Sequence, residues 1–150
     1  MANIVTEHVL LLVPMMMVLM IFPMVTIFVV NSYDAEQRLY AIENAATKMG
    51  STIQQVYLAL SDNKVQPCTV TISNPLPAAI ENQPYIISCT LENNVLKIHM
   101  ALLGPPIFYD HLITLGESAS WDGGTLDSNV PNPSIEVTKD LSGNIHMRFK

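Results

Sequence analysis

The side chains able to carry chemistry are few and scattered. Four histidines occur, His8, His99, His111 and His146, and no two stand at i, i+4 or at any other spacing that would aim two imidazoles at one metal ion. Gly123-Gly124 after Trp121-Asp122 is a turn signal and carries neither the phosphate-cradling nor the dinucleotide pattern. No Gly-x-Ser-x-Gly nucleophile elbow is present. Asp122 and Asp127 could offer carboxylate oxygens to calcium from one loop, but the other ligands of a complete calcium loop do not follow. Asn132 is followed by Pro133 before Ser134, which blocks attachment of sugar to asparagine. The expectation is a protein that is not an enzyme, with no catalytic, cofactor-binding or metal residues and no cofactor.

Cys68 and Cys89 are the two cysteines, and their chemistry depends on the elements that hold them. After Lys64 the chain consists of short runs of β-branched and aromatic residues parted by Pro, Asn, Gly and Asp, the pattern of antiparallel strands. Strands are predicted over 68–73, 85–92, 95–102, 108–115, 134–138 and 144–149. Asn93-Asn94 and Ser142-Gly143-Asn144 suit tight turns. Strands of this number make a sandwich or a small barrel-like sheet. Alternation sets Cys68 on one side with Val70 and Ile72, and Cys89 on one side with Tyr85, Ile87 and Leu91. Both cysteines are therefore expected to face inward on strands lying side by side, joined as a disulfide; two packed free thiols are the competing reading.

The first part of the chain has a different character. Residues 9–30 contain no charge, and their polar content is Thr26 and the prolines Pro14 and Pro23. Such a run is long enough to span a hydrocarbon layer. Counting in steps of four and three from Ile21 gives Val25, Phe28, Ser32, Ala35, Leu39, Ile42, Ala46, Met49, Ile53, Val56 and Leu60, of which only Ser32 is polar. Charged and amide side chains fill the positions between from Asp34 onward, so the second half is amphipathic. One helix over about 3–61, bent near Pro14 and Pro23, is predicted. It ends at the turn-forming Ser61-Asp62-Asn63, and Gly50 costs it about 1 kcal/mol relative to alanine. The fold class is α+β: an assembly helix in 1–62 and an antiparallel β-sandwich-like domain in 65–150. The net charge of −6 with seven basic residues excludes a nucleic-acid partner, which needs clustered Lys and Arg.

This plan resembles that of archaeal type IV pilins, whose apolar N-terminal helix forms the filament core and continues as an amphipathic half that meets a β domain. The residues carrying the resemblance are 9–30 with Pro14 and Pro23, and the seam from Ala35 to Leu60. It implies a structural subunit of an extracellular, pilus-like adhesion filament at the cell surface, a homo-oligomer inserted in the membrane before assembly. Leu11, Met15, Leu19, Phe22, Val25 and Phe28 would form the assembly core. Leu39, Ile42, Met49, Ile53, Val56 and Leu60 would join helix to domain. Glu7 resembles a counter-charge for a neighbour's α-amine; alternatively Glu7 and His8 only mark where the apolar run begins. Prepilins carry a basic leader, whereas no Lys or Arg precedes Arg38 here, so the leader is expected to have been removed. The competing function is a single-pass membrane-anchored surface protein whose β domain binds a partner.

Overall fold

The computed structural model describes residues 2–104 and 107–150, with side chains described at Leu12 and from Pro14 onward. Helix α1 runs Ala2–Ser61 and continues through Pro14 and Pro23. The strands are β1 Cys68–Ser73, β2 Tyr85–Glu92, β3 Val95–Leu102, β4 Phe108–Thr114, β5 Ala119–Gly123, β6 Thr125–Asp127, β7 Ser134–Lys139 and β8 Ile145–Phe149. The fold is α+β, as expected. The chain divides into two compact units, Met1–Gln37 and Arg38–Lys150. The boundary thus falls inside the helix and not at 62–65, because the second half of the helix supplies part of the β domain's core.

In the first unit two hydroxyl side chains bond back to the helix that carries them. Thr26 Oγ1 donates to the Phe22 carbonyl at 2.8 Å and Ser32 Oγ to the Phe28 carbonyl at 2.9 Å. These back-bonds satisfy the Thr26 and Ser32 hydroxyls within the helix itself.

The second unit has two four-stranded sheets, in the orders β1-β7-β8-β5 and β4-β3-β2-β6. All pairings are antiparallel except β5 with β8, which is parallel and carries an irregularity between Trp121 and Gly123. The β2–β3 hairpin turns on Asn93 and Asn94, both at positive φ (51° and 64°), the geometry that matches the right-handed strand twist. Strands β5 and β6 are additions to the sequence expectation. The Trp-Asp-Gly-Gly segment that reads as a plain turn is where β5 ends and β6 begins, and a Cβ on Gly124 would lie 2.8 Å from the Phe149 carbonyl oxygen.

Strands alternate as their burial requires: Ile87, Cys89, Leu96, Ile98, Met100, Ile135, Val137, Ile145 and Met147 all point into the core. The helix adds Ile42, Ala45, Ala46, Met49, Ile53, Tyr57 and Leu60 to the same cluster, with Val56 partly buried against it. Leu39 departs from the expected seam. It is 45% exposed, lying one turn before Ile42, beyond the stretch of helix that the strands cover.

Three contacts fasten helix to sheets. At Gly50 the backbone approaches β4 so closely that a Cβ would lie 2.6 Å from His111 Cδ2 and 3.1 Å from Ile113 Cγ2. Tyr57 Oη meets Ser118 Oγ at 3.1 Å, and Tyr109 Oη donates to Glu43 Oε1 at 3.2 Å. Past the helix C-terminus, the buried Lys139 donates from Nζ to the Asp62 carbonyl at 2.8 Å, placing a cation where the helix dipole favours one.

Candidate functional site

The largest chemical anomaly among the described residues is apolar surface. Met15, Leu19, Phe22, Val25 and Phe28, five of the expected assembly residues, are all exposed, Phe28 at 73%. Their neighbours on every other face, among them Met16, Met20, Ile21, Met24 and Ile27, are exposed too. The Leu11 and Glu7 side chains lie outside the described residues. Each large apolar side chain contributes roughly 1.5–3 kcal/mol when withdrawn from water. A continuous belt of them needs lipid or other protein as its solvent. The helix that carries them is long and apolar enough to cross a membrane, with a mean hydropathy of 2.1 over an 18-residue stretch.

The cysteine expectation is corrected. Cys68 and Cys89 are both free. Cys68 opens β1 and pairs across from Lys139 on β7, whereas Cys89 pairs across from Ile98 on β3. The two strands belong to different sheets, because the chain between β1 and β2 passes from one sheet to the other. Cys68 keeps the inward phase of Val70, opposite the buried Lys139, but at the open start of an edge strand it is exposed. Cys89 is buried, and desolvation pushes its thiol up to about 12, which leaves it protonated and unreactive at neutral pH.

The outer sheet faces gather polar clusters. On the β3–β4 face, Asp110 accepts from Lys97 Nζ at 2.8 Å and pairs with His99 Nδ1 at 2.6 Å. Hydrogen bonds from Lys97 and then His99 hold the Asp110 carboxyl below its ordinary range, against a smaller desolvation effect. Phe108 lies 5.6 Å from the His99 ring, between ring centres. On the opposite sheet, Glu136 takes Arg148 at 2.7 Å and Lys150 at 3.1 Å, and these bonds lower its carboxyl, Lys150 contributing most.

One grouping there was missed in the sequence. Ser120 Oγ lies 2.8 Å from His146 Nδ1, with Asp122 Oδ1 at 3.4 Å from the same nitrogen and Asp140 Oδ2 at 3.7 Å from Nε2. A serine nucleophile needs its base on one imidazole nitrogen and an orienting hydrogen bond on the other. Here serine and Asp122 share Nδ1, and Asp140 is too distant to bond Nε2. The group is a surface polar network formed by the parallel β5–β8 pairing. Of the other histidines, His111 packs on the helix at Gly50, and the His8 side chain lies outside the described residues. Asp122 and Asp127 sit on β5 and β6, and no three His, Cys, Asp or Glu among the described residues are placed to hold a metal ion.

The geometry therefore offers an apolar helix surface to be covered and, among the described residues, no closed relay of nucleophile and base. No family model, curated protein or solved structure matches the chain, and its function is argued from its own residues.

Proposed function

We propose that this chain is a structural subunit of an extracellular type IV pilus-like filament used for surface attachment, held in the membrane by its apolar helix before assembly. One observation carries the reading. The helix that buries Ile42, Met49 and Ile53 in its own domain runs N-terminally, past Arg38, Glu36 and Asp34, into an uncharged stretch whose side chains 14–30 are exposed. A simple anchor has no need of a stripe reaching some thirty residues past the hydrocarbon, whereas a filament subunit must join its bundled core to the domain it displays. The length and hydropathy of the same helix favour the second reading, a single-pass surface protein with a binding β domain.

Negative-stain microscopy of material sheared from cells producing the chain separates the two. Filaments several nanometres wide that contain it are expected. Leu19→Asp or Phe22→Asp removes them while the emission of Trp121, the single tryptophan, reports an intact domain. Normal filaments from either variant, or a chain found only in membranes, would refute assembly through this helix.

A further inference from the structure

We infer that successive copies of this chain are locked together by a second contact, in which Leu141 of one copy enters a groove lined by Ala41, Ala45, Leu76 and Ile80 of the next. The inference rests on the reading of the chain as a filament subunit.

The knob is built to project. Leu141 is 94% exposed at the tip of the β7–β8 hairpin, and that tip is fixed. The Asp140 carboxylate accepts from the Asn144 backbone N–H at 2.8 Å and from its side-chain amide at 3.2 Å. The Asp140 N–H donates to the Asn144 carbonyl at 2.9 Å. A hydrogen-bonded loop that holds an isolated leucine in water loses little conformational freedom when that leucine docks. Desolvation pushes the Asp140 carboxyl up, but the bonds from Asn144 and Ser142 outweigh it and the group is held below its ordinary range. It is an anion beside the knob at neutral pH.

The groove lies in the same compact unit. Its volume is about 380 Å³, room for an aliphatic side chain and its neighbours. Ala41 and Ala45 line it from the helix, and Leu76 and Ile80 form its wall on the loop side. That wall is stiff. Ile80 and Gln83 exchange backbone hydrogen bonds at 2.9 and 2.8 Å around Glu81 and Asn82, both at positive φ, and Tyr85 Oη donates to the Pro77 carbonyl at 2.8 Å. On the helix rim stands Lys48, which makes no ion pair among the described residues. The anion beside the knob, Asp140, and the cation beside the groove, Lys48, are opposite in charge.

Knob and groove are different surfaces at different levels of the helix. The groove touches residues 41–48. The hairpin follows Lys139, which bonds the Asp62 carbonyl beyond the helix end, roughly 25 Å farther along at 1.5 Å per residue. A contact between unlike patches is heterologous: it runs head to tail, closing a ring or, where the rotation does not close, extending as an open filament. In a filament subunit the open case applies.

The test uses the full chain with Cys68→Ser, so that the remaining native thiol is the buried Cys89. Adding Ser142→Cys, next to the retained Leu141, and Ala79→Cys, both at exposed positions and the latter lining the groove, is expected to give a ladder of disulfide-linked multimers under mild oxidation of intact cells. Either cysteine alone gives no ladder. Lys48→Glu should cut the ladder at least tenfold, and Asp140→Asn, which keeps an acceptor for Asn144, should restore it in the same chain. Trp121 emission checks that each variant is folded. Absence of a ladder, or a ladder indifferent to Lys48→Glu, overturns the contact. Filaments without a ladder would overturn it and leave the filament reading standing, whereas a ladder without filaments would support the contact between copies and refute the filament.

Discussion

Gly50→Ala sets two physical effects against each other. In an exposed helix the change stabilises by about 1 kcal/mol, since glycine loses more backbone freedom on folding than alanine. Here the new methyl would stand 2.6 Å from His111 Cδ2, 2.9 Å from His111 Nε2 and 3.1 Å from Ile113 Cγ2. The ring must shift, and Ile113 narrows its room to do so. Overpacking of this kind costs roughly 1–3 kcal/mol. Taking the middle of that range against the helix gain leaves a net loss of about 1 kcal/mol. The assay is urea unfolding of the full chain in detergent, followed by Trp121, which packs edge-on against Phe149 at 4.9 Å and so reports the β domain. The sign of the effect should reverse when the obstacle is removed. In a His111→Ala background, Gly50→Ala is expected to stabilise by up to about 1 kcal/mol, and the difference between backgrounds measures the coupling. If Gly50→Ala raises stability with His111 in place, the helix does not lie against β4 as described.

Other perturbations test the remaining attachments. Lys139→Met keeps the aliphatic stem and removes the charged hydrogen bond to the Asp62 carbonyl, with an expected cost of about 1.5–3 kcal/mol; an unchanged urea midpoint would refute that anchor. Alkylation without reductant should label one thiol in the folded chain, Cys68, and two in urea, read by intact mass; no label in urea would restore the disulfide. Asp110, Glu136 and Asp140 all have folded values held below their unfolded ones. Their stabilisation is therefore present above the unfolded values of about 4 and is lost as pH falls through the lower folded values. The urea midpoint should fall on acidification from about pH 4.5 to pH 3, and a midpoint that rises there would contradict these ion pairs.

Local periodicity made much of the architecture legible. The four-three spacing from Ile21 to Leu60 needs no partner to be recognised, and the helix ends at Ser61 where turn-forming residues begin. Strands β1, β2 and β3 start and stop where alternation and flanking Pro, Asn and Gly place them, since side chains on a strand must take opposite faces. Asn93-Asn94 marked its own turn, because few residues adopt positive φ at two successive positions. The absence of charge in 9–30 alone requires a non-aqueous partner for that helix.

What alternation cannot convey is which strand lies beside which. Cys68 and Cys89 each sit on a strand of correct phase, yet the chain between them crosses from one sheet to the other, and only the topology separates them. β5 escaped notice because Trp121-Asp122-Gly123 has no alternation of its own and is ordered by pairing with β8, more than twenty residues later. The same parallel pairing brings Ser120 to His146. The extent of the helix seam is likewise a tertiary property: Leu39 and Ile42 are equivalent in the sequence pattern, but the strands reach only one of them. Gly50 reads as a weakness in the helix and becomes a close approach once His111, 61 residues away, is folded against it. Periodicity is written residue by residue, whereas these neighbours are set by which loops cross between sheets and by how far each packed surface extends.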